Sequence, residues 1–412
     1  MNAFATGFGC ATEGMPFEAA LARILNLAND TPVPEQVVLA ASAGRVLAET
    51  FMARLTLPGF DQSAMDGYAV RCADLTPGVL LPVTGRTAAG EAPGILVTGA
   101  HRILTGAPLP AGADAVVPQE AVDRHADMVR IAAVPPVATN VRRRGEDIRT
   151  GDELIPGGTI LDCRHITVLA AQGVSHVTVR RRPRVALLSS GRELRGAGES
   201  LTPGQIHDSN MPMLAALLAA WGADVRPMPV IDDDAAAMQD ALRSAAGSAD
   251  LVLTTAGISV GEEDHVRVAL NALGGDLTVL KVAMKPGKPL AAGRIGDAVF
   301  IGLPGNPVAS LAGAVGFVRP LLARMTGTAM PRPLQALAAF EMSRKPGRSE
   351  FIPVRLIQKD TRLWAERAGP DGSGRLAPLL RAAGLAHVPA DATHVRAGRP
   401  VDVIPFDPPL AG

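Results

Sequence analysis

The chain has 412 residues, 47% of them hydrophobic, so its length and apolar content fit several packed domains better than one core. Forty basic and forty acidic residues cancel, which excludes bulk attraction to nucleic acid or to an anionic membrane surface. One tyrosine and two tryptophans are too few for a base-stacking platform.

The most apolar stretches, residues 213–221 and 311–318, fall well short of the ~20 residues a spanning helix needs. The N-terminal residues lack a basic start followed by an apolar core, so the expectation is a cytoplasmic protein. Cys10, Cys72 and Cys163 lie far apart, have no metal-ligand spacing and cannot all pair. Reduced structural thiols are expected.

In chain order, Phe17, Ala20, Leu21, Ile24 and Leu25 recur at helical spacing and predict an amphipathic helix that stops before Thr-Pro-Val-Pro. Between 57 and 144, short apolar runs at 80–83, 115–117 and 128–134 alternate with Gly and Pro, the pattern of an inserted β-rich domain. The flanks, 1–56 with 145–180, read as a helical and extended N-terminal domain, with a short helix over 165–172 ending at Gly173. Over 181–328, strands at 185–188, 251–254 and 298–301 each run into a Gly-containing loop. Helices at 211–221 and 235–246 lie between them, as a doubly wound α/β sheet requires. Such sheets bind ligands at the carboxyl ends of their strands. Residues 329–412 read as strands over 334–342, 350–357 and 363–366, a closing β domain. The fold class is therefore multidomain α/β plus β.

Three loops of the α/β segment carry the chemistry. From Thr254 to Asp264, glycines, Ser259 and hydroxyl groups suit close approach to a phosphate. The carboxylates Glu262, Glu263 and Asp264 suit Mg²⁺ beside that phosphate, or equally an acidic helix start stabilised by the helix dipole. Lys285-Pro-Gly-Lys-Pro aims two ammonium groups at one point, with Lys281 just upstream. Held ~4 Å apart at an effective dielectric near 20 they repel by about 4 kcal/mol, so an anion between them is favoured over a solvated basic turn. Gly302-Leu-Pro-Gly-Asn-Pro-Val leads into a helix, giving a shaped wall with an anion-accepting helix start rather than a phosphate loop of Walker type.

Seven segments in this order and spacing, SAMDGYAV from Ser63, LTGAP from Leu104, RRRGEDI from Arg142, GQIHDSN from Gly204, GISVGEEDH from Gly257, KPGKP from Lys285 and LPGNPVAS from Leu303, resemble the molybdopterin molybdenumtransferase family of bacterial MoeA type. The gephyrin and plant E-domains are related to it. The resemblance implies a molybdopterin-binding α/β domain and an elongated homodimer, in which the α/β domain of one subunit meets the β-rich domain of the other. It implies that Mg²⁺-dependent insertion of molybdate into adenylylated molybdopterin releases AMP, and that contact with the molybdopterin adenylyltransferase is possible in principle. Carried over by motif, Asp66 and Thr105 would act from the partner subunit, with Arg142 and Asp147 in the arginine-rich hinge. Glu193, Asp233 and Asp264 would surround Mg²⁺ and substrate, and Gly257 and Ser259 would cradle phosphate. Lys281, Lys285 and Lys288 would meet anions, while Pro304 and Pro307 shape the wall. Molybdate would sit among Lys285, Lys288, Arg355 and Ser373.

Two departures bear on geometry. Arg192 stands where the family has a carboxylate, next to a retained Glu193, and Ala256 replaces the first glycine of the phosphate loop. Two rival functions are a protein-clustering scaffold, as gephyrin shows, and a nucleotide pyrophosphatase on a related α/β domain. Retained Asp264, Lys285 and Lys288 weigh against the first, and the match along the whole chain against the second.

Overall fold

The computed structural model describes residues 14–28, 33–231, 234–255 and 265–406. They form two compact units, one of Met1–Ala48, Gly158–Ile166 and His176–Gly412 and one of Glu49–Gly157 and Thr167–Ser175.

In the first unit, a six-stranded sheet runs in the order Asp224–Pro227, Arg184–Ser189, Leu251–Thr255, Ala298–Leu303, Pro289–Ile295, Asp276–Lys281. Its first four strands are parallel and its last two antiparallel. Alternate residues face opposite layers, as the period of a strand demands. Val185, Leu187, Leu251, Leu253, Val299 and Ile301 pack on one side with Leu214 and Leu218 of the Asn210–Ala220 helix. Ala186, Leu188, Val252 and Phe300 pack on the other with Met238 and Leu242 of the Ala235–Ser248 helix. These are the doubly wound layers expected from the sequence.

The Phe17–Leu25 helix belongs to this same core, its Phe17, Ala20 and Ile24 buried with the sheet's residues. Of the residues expected in an N-terminal domain, 1–56 with 145–180, those up to Ala48, Gly158–Ile166 and those from His176 fall in this first unit and the others in the second. The small sheet Pro34–Val38, His176–Arg180, Val46–Leu47 is tied to the α/β domain by Arg180, whose guanidinium donates to the carbonyls of Thr326 and Gly327 at 2.5 and 2.7 Å.

The helical run Pro307–Thr326 has the length and apolarity of a membrane span, but it is 83% buried as the core helix of the α/β domain. Its Arg319, 6% exposed, donates to the Pro405 carbonyl and covers the Trp221 ring. The C-terminal strands close on themselves: Ser349–Lys359, Arg362–Arg367, Leu334–Ala338, Pro400–Pro405 and Gly384–Val388, the last pairing back to the first. Two residues of the α/β domain, Met284 and Lys285, add a parallel pairing to Ser349 and Glu350 of this barrel.

The second unit is built on a six-stranded sheet in the order Ala115–Pro118, Gly67–Val70, Ala100–Ile103, Leu80–Thr87, Met128–Ile131, Val122–His125. Gly67 is obligatory there, because a Cβ would run into the Val117 carbonyl of the neighbouring strand. Burial and the nearby Asp114 carboxylate push the Cys72 thiol up to about 11, which makes it inert.

Candidate active site

In the second unit, three sequence motifs converge on one edge. Antiparallel pairing of Gly67 with Ile103 sets the residue before one strand beside the turn after the other. Asp66 and Thr105 meet there, one carboxylate oxygen accepting the Thr105 amide at 2.7 Å and its hydroxyl at 2.6 Å. Those two bonds, with the nearby Arg102 charge, hold the Asp66 carboxyl below its ordinary range. Val141 and Arg142 pair with Ser63 and Gln62, so the arginine-rich segment joins the same edge. Its charges are offset locally: Arg142 pairs with Glu146 and Arg143 with Asp61, each at 2.6 Å. Asp147 is exposed, its amide donating to the Leu57 carbonyl.

In the first unit, the carboxyl ends of the parallel strands carry Ser189, Thr255 and Leu303. Asp208 gathers the nearby elements, its buried carboxylate accepting from Ser189 Oγ at 2.6 Å and from the amides of Asn210 and Met211 at 3.0 Å. It thereby satisfies two amides at the start of the Asn210–Ala220 helix. Asn210 Nδ2 donates to the Gly305 carbonyl at 2.6 Å, which joins GQIHDSN to LPGNPVAS. Nothing in the sequence alone singled out Asp208 or Asn210 within that motif. Glu193 is exposed at the same edge, its carboxylate folded over Gly191, where a Cβ would stand 2.6 Å from Oε2. Asp233, Gly257, Ser259 and Asp264, with Ala256, lie outside the described residues, as does Cys10.

A cleft of about 290 Å³ opens where the loops of the α/β domain meet the C-terminal barrel. Lys285, Pro304 and Ser373, all expected from the sequence, line it together. Gly287 shapes the basic turn with a φ of +104°, a left-handed conformation that glycine takes without strain. Pro304 is buried, and its carbonyl accepts from Ser310 Oγ inside the following helix. The Ser373 carbonyl accepts from Val308 N at 3.0 Å, so the barrel loop rests on that helix start. Pro307 occupies the first turn of the helix, where its missing N–H costs nothing.

Three other expectations fall elsewhere. Lys288 is exposed and Lys281 half-buried, and neither lines the cleft. Arg355 does not reach it either. In the barrel register Arg355 stands opposite Glu366, and its Nε donates to that carboxylate at 2.7 Å. Its guanidinium, with Lys359, holds the Glu366 carboxyl below the usual range. The guanidinium at the cleft belongs instead to Arg367, opposite Val354 and so on the other face of the strand pair. Glu350 and Asp371, also unforeseen, supply carboxylates: Glu350 lies 3.3 Å from Lys285 Nζ and 2.9 Å from Arg344 Nε, and Asp371 lies 2.9 Å from Arg367. Neither carboxylate stands out in the sequence: Glu350 gains its partner from the register of its strand with Lys285, and Asp371 from the position of Arg367.

The cleft lies beside the strand ends of the α/β domain, against the C-terminal barrel, and three family models match successive parts of the chain. Residues 15–173 match the model of the MoeA N-terminal region, domains I and II, 186–324 that of a probable molybdopterin binding domain, and 335–406 that of the MoeA C-terminal region, domain IV. The chain is 34% identical over 383 residues to the molybdopterin molybdenumtransferase of Haemophilus influenzae, covering 90% of this chain and 94% of that protein. It is 38% identical over 384 residues to molybdopterin molybdenumtransferase 2 of Mycobacterium tuberculosis, with the same coverage. The crystal structure of a molybdopterin biosynthesis MoeA protein from Pyrococcus horikosii superposes with a TM-score of 0.83 at 31% identity, covering 96% of this chain and 99% of that one. This chain belongs to the MoeA family of molybdopterin molybdenumtransferases.

Proposed function

We propose that this chain inserts molybdate into adenylylated molybdopterin and releases AMP. The observation that carries the reading is the cleft itself: a lysine from the KPGKP turn, the wall at Pro304 and Ser373 of the barrel loop meet beside the carboxyl ends of a molybdopterin-type sheet. Molybdate, a tetrahedral dianion, would sit against Lys285 and Ser373. The pyrophosphate would lie along the strand ends, with Lys281 and Lys288 on its approach. Catalysis then rests on proximity and on preset charge.

Oxygen donors suit a hard cation, and Glu193 is an exposed carboxylate beside the strand ends. Glu193 with Asp233 and Asp264 would hold Mg²⁺, which when bound would offset the charge of the pyrophosphate. Among the described residues no three His, Cys, Asp or Glu side chains gather at one point, so Glu193 is the described member of that set. Two further parts of the proposal rest on the family resemblance: a cytoplasmic homodimer whose sites are completed by Asp66 and Thr105 of the partner subunit, and contact with the molybdopterin adenylyltransferase that supplies the substrate.

The test is AMP release from adenylylated molybdopterin, with and without molybdate, across a magnesium titration. Wild type is expected to depend on both, and Asp264→Asn to release none while keeping its fold. A clustering scaffold would release no AMP at all, and a general pyrophosphatase would release it without molybdate. Either result overturns the proposal.

A further inference from the structure

The charges that line the cleft cancel, which is unexpected for the seat of a dianion. Lys285 and Arg367 face Glu350 and Asp371. The two pairs are built differently. Glu350 is 7% exposed and gripped from behind by Arg344, itself 5% exposed at its side chain, so this carboxylate is fixed. Arg344 also neutralises it, which leaves the charge of Lys285 available in front. Asp371, by contrast, is 65% exposed at its side chain and meets Arg367 through one oxygen. It lies between Pro370 and Gly372, beyond the point where Ser373 anchors the loop.

Arg367 has its own supports. Its guanidinium lies 5.3 Å over the Phe340 ring, donates to Met342 Sδ at 3.1 Å, and has a buried Nε with no partner. It would therefore stay in place if Asp371 swung into solvent, and the cleft would then present two uncompensated positive charges. An exposed guanidinium–carboxylate pair is weak, whereas a tetrahedral oxyanion can take two N–H donors of the planar fork at once.

We propose that Arg367 is the guanidinium that grips the oxyanion, and that Asp371 is an internal competitor occupying Arg367 until the oxyanion displaces it. This pair sets the affinity of the cleft for tetrahedral dianions. The inference rests on the reading of the cleft as the molybdate seat.

Equilibrium dialysis of radiolabelled molybdate against the full chain tests both, with melting temperatures recorded for each variant. Asp371→Asn is expected to bind molybdate about two- to fivefold more tightly, the scale of the exposed ion pair that no longer competes. A gain of affinity cannot come from damage to the fold. Arg367→Gln, which keeps part of the stem over Phe340, is expected to bind about tenfold more weakly. The double variant should match Arg367→Gln, because the competitor acts only through Arg367. Unchanged or weaker binding by Asp371→Asn, while Lys285→Ala still loses affinity, would overturn this inference and leave the molybdate seat standing. Binding indifferent to Lys285, Arg367 and Asp371 alike would overturn the seat and the inference together.

Discussion

Asp250 gives the most direct test of the electrostatics that hold the α/β domain together. It precedes the Leu251–Thr255 strand, at the end of the sheet away from the cleft. Its oxygens accept from Arg181 at 2.8 and 3.0 Å, from the Arg184 guanidinium at 3.0 Å and from the Arg184 amide at 2.7 Å. Burial by itself would raise this carboxyl, but the bonds to Arg181 and Arg184 outweigh it and bring it from 3.8 to about 2. Because the folded value is the lower one, the stabilisation is fully present above 3.8 and is lost as pH falls through about 2. The drop corresponds to about 2 kcal/mol at neutral pH. Asp250→Asn should therefore be about 2 kcal/mol less stable than wild type at neutral pH, with the gap closing below 3.8. Urea unfolding followed by Trp221 in a Trp364→Phe background reads this, since those are the two tryptophans. A gap that stays constant down to about 2, or one below about 0.5 kcal/mol at neutral pH, would refute the reasoning.

Lys285→Ala should weaken molybdate binding about tenfold or more, and Lys288→Ala much less, because only the first lines the cleft. Calorimetry with both single variants checks this, and equal losses would count against the geometry. His387 stacks on Phe351 at 4.9 Å with its Nε2 buried and without a partner, and burial lowers its pKa against the opposing pull of Glu18 and Asp402. The fold thus favours neutral His387, and stability is lost as pH falls from 6.5 through the lowered value. His387→Phe should flatten that acid loss, which melting curves across the range would reveal; an unaltered pH dependence would exclude His387 as its source. Mixing inactive Asp66→Ala chains with inactive Asp264→Ala chains should restore AMP release in heterodimers, and no recovery despite demonstrated subunit exchange would argue against a site shared between subunits.

Much of the architecture was legible because it is local. The continuous apolar runs leading to Ser189, Thr255 and Leu303 are strands whichever neighbours they take, and each is followed within two residues by a glycine or proline that opens the loop. The family resemblance also implied one site for Lys285, Pro304 and Ser373, and all three line the cleft. The helix at 17–25 was equally legible as a helix, but its packing was not. An amphipathic stripe states that one face is buried, and only the assembled sheet supplies the surface that buries Phe17 and Ile24.

The cleft's charges were decided by tertiary structure alone. Arg355 and Arg367 sit on opposite faces of two strands that pair antiparallel, and a shift of one residue in register would bring both guanidinia to the same face. The sequence by itself sets the spacing along each strand, not the partner across from it, and Arg355 was carried to the site by the family resemblance alone. In the barrel Glu366 claims Arg355, and the opposite face turns Arg367 to the cleft. Lys285 and Glu350, 65 residues apart, likewise meet only because two residues of the α/β domain add to the barrel's edge. Side-chain type and local spacing are written in the sequence. Which charges oppose one another is set by register and domain packing, because a charge a few ångströms away acts on a site however distant it is along the chain.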